Sequence, residues 1–121
     1  MVVQGNSLVA VSPVEYIKPI IYGVQISELN ECENYGKWDD NRILDVNGKY
    51  SYGGLIYQLE TFLFYGKKYK ILSENITLNE AEKIIYDKDL QIRIADRMIE
   101  GGEGPKHWVS CWRKQNLDNY F

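Results

Sequence analysis

The sequence predicts a mainly α domain carrying a small irregular or β-hairpin lobe. Two apolar stripes point to helices: Leu55, Leu59, Phe62 and Leu63, then Leu90, Ile94, Ala95, Met98 and Ile99, each set at the spacing of one helix face. Between the N-terminal segment and the first stripe, residues 35–50 are rich in Gly, Asp, Asn and Lys, with Ile43, Leu44 and Val46 in their middle. That stretch reads as a loop or short hairpin, with Asn47-Gly48 as its turn. At 121 residues the chain fits one domain, since two halves would each have a marginal core.

Each element follows from local signals. Residues 1–13 read as an extended arm, and 14–114 as the folded domain. A helical pattern after Pro13 (Val14, Ile17, Ile20, Ile21, Val24) is interrupted at Pro19 and Gly23, because proline removes a helix hydrogen bond and crowds the preceding turn. A firmer helix is expected over 24–34. The next starts near Tyr52 and ends at Gly66 and the lysines behind it. Thr77-Leu78-Asn79-Glu80 is a capping-box pattern opening a helix over 78–86. Asp87 or Asp89 begins another, stopped by Gly101-Gly102. Pro105 opens a last short helix through Trp108 to about Trp112, two rings spaced for one helix face and for the core. Residues 115–121 read as a tail.

Composition excludes several functions. Apolar residues make up 45% and charged residues 26%, ordinary values for a globular domain. The formal charge is −3, with no cluster of Lys and Arg suited to tracking phosphates, so nucleic acid is not an expected partner. No window approaches the ~20 apolar residues of a membrane span, and the N-terminal run lacks the basic start of a signal peptide. One His and two Cys leave little for a transition metal, and no metal or cofactor is expected. No phosphate-binding glycine loop, HExxH, GxSxG or EF-hand pattern is present. Cys32 and Cys111 fit either one long-range bridge or two buried thiols.

Chemistry has few places to reside. Glu33 closes the run Asn30-Glu31-Cys32-Glu33-Asn34 at the end of the first firm helix. Glu31 points about 200° away from it. A carboxyl half-buried in a cleft wall there would hold its proton to higher pH and serve as an acid. Ser51-Tyr52-Gly53-Gly54-Leu55 leads toward the next helix, and its glycines permit close approach of a ligand to the backbone. Tyr35, Trp38, Tyr50, Tyr52 and Tyr57 surround both features, and such rings suit stacking on sugar faces.

Taken together, these residues resemble the lysozyme-like domain of the lytic transglycosylases, in a small bacterial variant. Cys32-Glu33-Asn34 is similar to that family's Cys-Glu-Ser, and Ser51-Tyr52-Gly53 to the start of its Ser-x-Gly-x-x-Gln motif. Gly54-Leu55-Ile56-Tyr57-Gln58-Leu59-Glu60-Thr61-Phe62 resembles the continuation, and Asp89 to Ala95, Met98-Ile99, Gly102, His107-Trp108 and Cys111 the end. The resemblance covers roughly residues 20–114. Asn34 stands where Ser is usual, and Ile56 where the motif has Gln. Gln58 is about 200° further round a helix, and meets the same site only if that helix starts late or bulges.

The resemblance implies a lysozyme-like fold that cleaves β-1,4 glycosidic bonds in peptidoglycan glycan strands outside the cell or in its envelope. Glu33 would be general acid and then base. Ser51, Gly53 and Gln58 would hold sugar substituents, and Tyr52 or Tyr57 would stack or hydrogen-bond. Cys32 and Cys111 would form a disulfide. Most glycosidases use two carboxylates, whereas this family works with one and yields an anhydro sugar. Asp39, Asp40 or Asp45 holding a water opposite Glu33 would turn the reaction to hydrolysis. The alternative is a catalytically silent module binding glycan or a protein partner in an envelope or virion assembly, a reading favoured by Ile56 and the acidic charge.

Overall fold

A computed structural model describes residues 18–38 and 42–120. The expected arm at 1–13, the pattern at Val14 and Ile17, and the loop acids Asp39 and Asp40 lie outside these residues. Helix α1 (Gly23–Asn34) starts where Pro19 and Gly23 predict, and residues 18–22 are not helical. No local side chain caps it. Instead the Ile21 and Tyr22 amides donate to Asp96 Oδ1 at 2.9 and 2.7 Å, which supplies the acceptor that the N-terminal turn lacks. The helix ends with Tyr35 in the left-handed region (φ 55°) and the Gly36 amide turned back to Asn30 O at 3.2 Å.

The lobe is a three-stranded antiparallel sheet of β1 (Arg42–Leu44), β2 (Tyr50–Tyr52) and β3 (Tyr57–Gln58), in that order. Asn47-Gly48 lies in the β1–β2 turn, closed by the Asp45 amide on Lys49 O at 2.8 Å and the Gly48 amide on Asp45 O at 3.0 Å. Ser51 pairs with both Ile43 and Gln58, so these three share one face. Tyr52 and Tyr57 share the other, which packs on the core with 6% and 0% of their surface exposed.

Helix α2 runs Leu59–Lys68, starting later than the Leu55 stripe suggests. Residues 53–56 form a turn in which Gly53 (φ 76°) and Ile56 (φ 57°) adopt left-handed backbone. Leu55 is fully buried from that turn rather than from a helix face. Helix α3 (Leu78–Ile84) carries the capping box, with the Glu80 amide on Thr77 Oγ1 and Glu80 Oε1 on the Thr77 amide. Helix α4 (Lys88–Glu100) begins at Asp87, whose carboxylate accepts the Leu90 amide at 2.9 Å. It is the central helix, with Leu90, Ile94, Ala95, Met98 and Ile99 all buried, and it packs against α1 and α2.

The last helix is divided. Helices α5 (Gly104–His107) and α6 (Val109–Lys114) meet at Trp108, which leaves helical geometry (ψ 55°) while its indole donates to Leu55 O at 3.1 Å. Trp108 and Trp112 are core residues, 3% and 4% exposed. The expected tail is structured: Leu117–Tyr120 form a 3-10 turn, Leu117 is fully buried, and Trp112 donates to Asp118 at 2.8 Å. Cys32 and Cys111 are joined as a disulfide across 79 residues, tying α1 to α6.

Candidate functional site

Glu33 lies in the last turn of α1, half-buried, while Glu31 is exposed. Three tethers hold this end of the helix. Cys32 is bridged to Cys111. Asn30 Nδ2 donates to Lys37 O at 2.7 Å and Gly54 O at 2.9 Å. Asn34 donates to the same Lys37 carbonyl at 3.1 Å. The loop after Glu33 and the 53–56 turn are thereby pinned to one helix.

The other half of the site comes from the sheet. Asp45, just after β1, accepts from the Ser51 hydroxyl and from Gln58 Nε2, the latter at 3.0 Å, both on Oδ2. Gln58 and Asn47 form a reciprocal amide pair: Asn47 Nδ2 donates to Gln58 Oε1 at 3.2 Å, and Gln58 Nε2 to Asn47 Oδ1 at 3.1 Å. The late start of α2 makes this possible. Gln58 precedes the helix with extended backbone (ψ 151°), so its side chain projects from the sheet toward Asp45.

The two carboxyls are pulled in opposite directions. Burial, and then the negative charge of Asp45, push the Glu33 pKa above the usual carboxylate range. Hydrogen bonds from Ser51 and then Gln58 hold Asp45 below its usual value. A carboxyl that holds its proton to higher pH, with a second held more readily ionised, is the kind of division that acid–base chemistry uses.

The structure joins Asp45, Ser51 and Gln58 by hydrogen bonds, and the charge of Asp45 is felt at Glu33. Other expected contacts are reassigned by burial. Ser51 is 1% exposed and spends its hydroxyl on Asp45, so it holds the acid rather than a sugar. Tyr57 has no exposed surface, and its hydroxyl donates to Gln91 O at 3.3 Å. Tyr52 is 6% exposed and packs edge-on against Tyr86. Gly53 makes room for the protein rather than for a ligand: a Cβ there would lie 2.2 Å from Gln91 Nε2.

The aromatic surface near the lobe is instead Tyr35 and Tyr50, both exposed, with the Arg42 guanidinium 4.1 Å from the Tyr50 ring centre. Trp38 packs against Gly54 below the Lys88 ammonium. Three cavities lined by described residues lie away from Glu33, for example one bounded by Ile20, Ile26, Trp38 and Ile92.

Among the described residues no group of three or more His, Cys, Asp or Glu could hold a metal ion, and no helix is long and apolar enough to cross a membrane. Asn47 and Gln91 are the contributors that sequence patterning missed in these roles; the Asn-Gly dipeptide signalled only a turn. The chain matches no protein-family model, no curated protein and no solved structure.

Proposed function

We propose that this is a lysozyme-like domain that hydrolyses β-1,4 glycosidic bonds in peptidoglycan glycan strands, with Glu33 as general acid and Asp45 as its partner carboxylate. One observation carries the reading: Glu33 is half-buried at the end of α1, and Asp45, whose charge it feels, is fixed by hydrogen bonds from Ser51 and Gln58. Glu33 gives its proton to the glycosidic oxygen as the C1–O bond breaks. A water forms the new bond to C1 and passes its proton to Asp45. One water is consumed, and the two carboxyls return to their starting states through solvent. A mainly α body around α4, with a small three-stranded antiparallel sheet, supports a lysozyme-like arrangement. The Cys32–Cys111 bridge supports an oxidising location such as the cell exterior or envelope.

Incubating the protein with peptidoglycan and identifying released muropeptides by mass spectrometry tests the reading. New reducing ends are expected, with Glu33→Gln slowing their release about 10²–10⁴-fold. Anhydro ends, lost in the same variant, would point to transglycosylation with Glu33 alone. A second reading, a silent glycan- or protein-binding module, is favoured by Ile56, an apolar residue at the motif's Gln position. Glycan binding that persists in wild type and variant alike, without product, would establish it.

A further inference from the structure

Gln58 has two amide hydrogens and one carbonyl oxygen, and all three are engaged. One hydrogen goes to Asp45 Oδ2 at 3.0 Å, the other to Asn47 Oδ1 at 3.1 Å, and the carbonyl accepts from Asn47 Nδ2 at 3.2 Å. Asn47 is held in turn, because its Oδ1 also accepts the Lys49 amide at 3.1 Å within the hairpin turn. A half-turn of the Gln58 amide would set oxygen against the Asp45 carboxylate and against Asn47 Oδ1, so the pair admits one orientation.

We propose that Asn47, an exposed turn residue, is a positioning residue that acts through Gln58 to fix the Asp45 carboxylate. With Ser51 and Gln58 both on Oδ2, Oδ1 is the oxygen that takes no hydrogen bond from the described residues, and it would receive the proton of an attacking water. This role rests on the hydrolase reading above; the orientation itself rests only on the hydrogen bonds. Among the described residues, the charge of Asp45 is felt by Glu33 from α1, while Lys49 of the hairpin and Glu60 of α2 pair with each other at 3.3 Å.

The test is a carboxyl-carbon NMR titration of Asp45 and Glu33 in wild type, Asn47→Ala, Asn47→Asp and Gln58→Leu. Asn47→Asp keeps the acceptor that closes the turn on Lys49, so it preserves the hairpin. In Asn47→Ala the Asp45 midpoint is expected to rise, in the direction seen for Gln58→Leu. In Asn47→Asp both Asp45 and Glu33 are expected to rise, because a third negative charge is added. In digests, Asn47→Ala should lower kcat by up to about tenfold, the upper worth of one hydrogen bond between neutral groups. KM should stay unchanged and the acid limb of the pH profile should move up. An Asp45 that titrates as in wild type in Asn47→Ala overturns the proposal, even if the wild type is an active hydrolase and whatever the added charge does in Asn47→Asp. A wild type that releases no product overturns the hydrolase reading, and the titration still decides whether Asn47 orients Asp45.

Discussion

Replacing Gln91 by leucine would measure how firmly the 53–56 turn is bolted to the central helix. Gln91 is fully buried on α4. Its Oε1 accepts the Leu55 amide at 2.9 Å, and its Nε2 donates to Tyr52 O at 3.0 Å and Ile85 O at 2.6 Å. Leucine is similar in size and satisfies none of these. Each buried polar group stripped of a partner costs about 1–3 kcal/mol. Taking the low end for the two carbonyls, which have a second lone pair, and about 2 kcal/mol for the Leu55 amide gives about 4 kcal/mol. A domain of this size has about 5–15 kcal/mol in all. The melting temperature should fall by roughly 15 °C, at about 4 °C per kcal/mol. Urea titrations followed by circular dichroism at matched m-values would give the free energy directly. A variant within about 1 kcal/mol of wild type would refute the view that this amide fixes the turn between Ser51 and Gln58.

Two further outcomes concern stability. Converting Cys32 and Cys111 to serine reopens a loop of 79 residues. The loss should be about 4 kcal/mol on the chain-entropy account, read from melts of the wild type and the double variant without reductant. Glu33 has a raised pKa in the folded state, so folding binds its proton more tightly than the unfolded chain does. Its destabilising effect therefore grows as pH rises through the ordinary carboxylate value and is complete above the folded value. Glu33→Gln should accordingly exceed wild type in stability at pH 7 and converge with it near pH 3, a convergence that a pH series of urea melts would reveal.

Elements with a local cause were legible in the sequence. The box at Thr77 and Glu80, the stop at Gly101-Gly102 and the turn at Asn47-Gly48 each depend on neighbours within a few residues, and each is found as expected. Misreadings arose where a distant partner decided the geometry. Leu55 falls on the helical period of Leu59 and Phe62, yet periodicity records that a residue is buried and not how the chain delivers it. Left-handed backbone at Ile56 is disfavoured for a β-branched residue; it is compatible here with a turn held by Gln91 and Trp108 from other helices. That turn delays α2 and brings Gln58 to Asp45, the condition under which it meets the site despite its displaced position. Trp108 likewise divides the last helix to satisfy a distant carbonyl. The roles of Tyr57 and Gly53 went astray for the same reason: both are shaped by α4, which contributes nothing to their local sequence.

The acceptor at the head of α1 belongs to α4, through a carboxylate with no exposed surface. The helix that carries Glu33 thus takes its starting point from the interior, not from side chains immediately upstream. An alanine at Asp96, far along the chain, would therefore let the head of the helix fray.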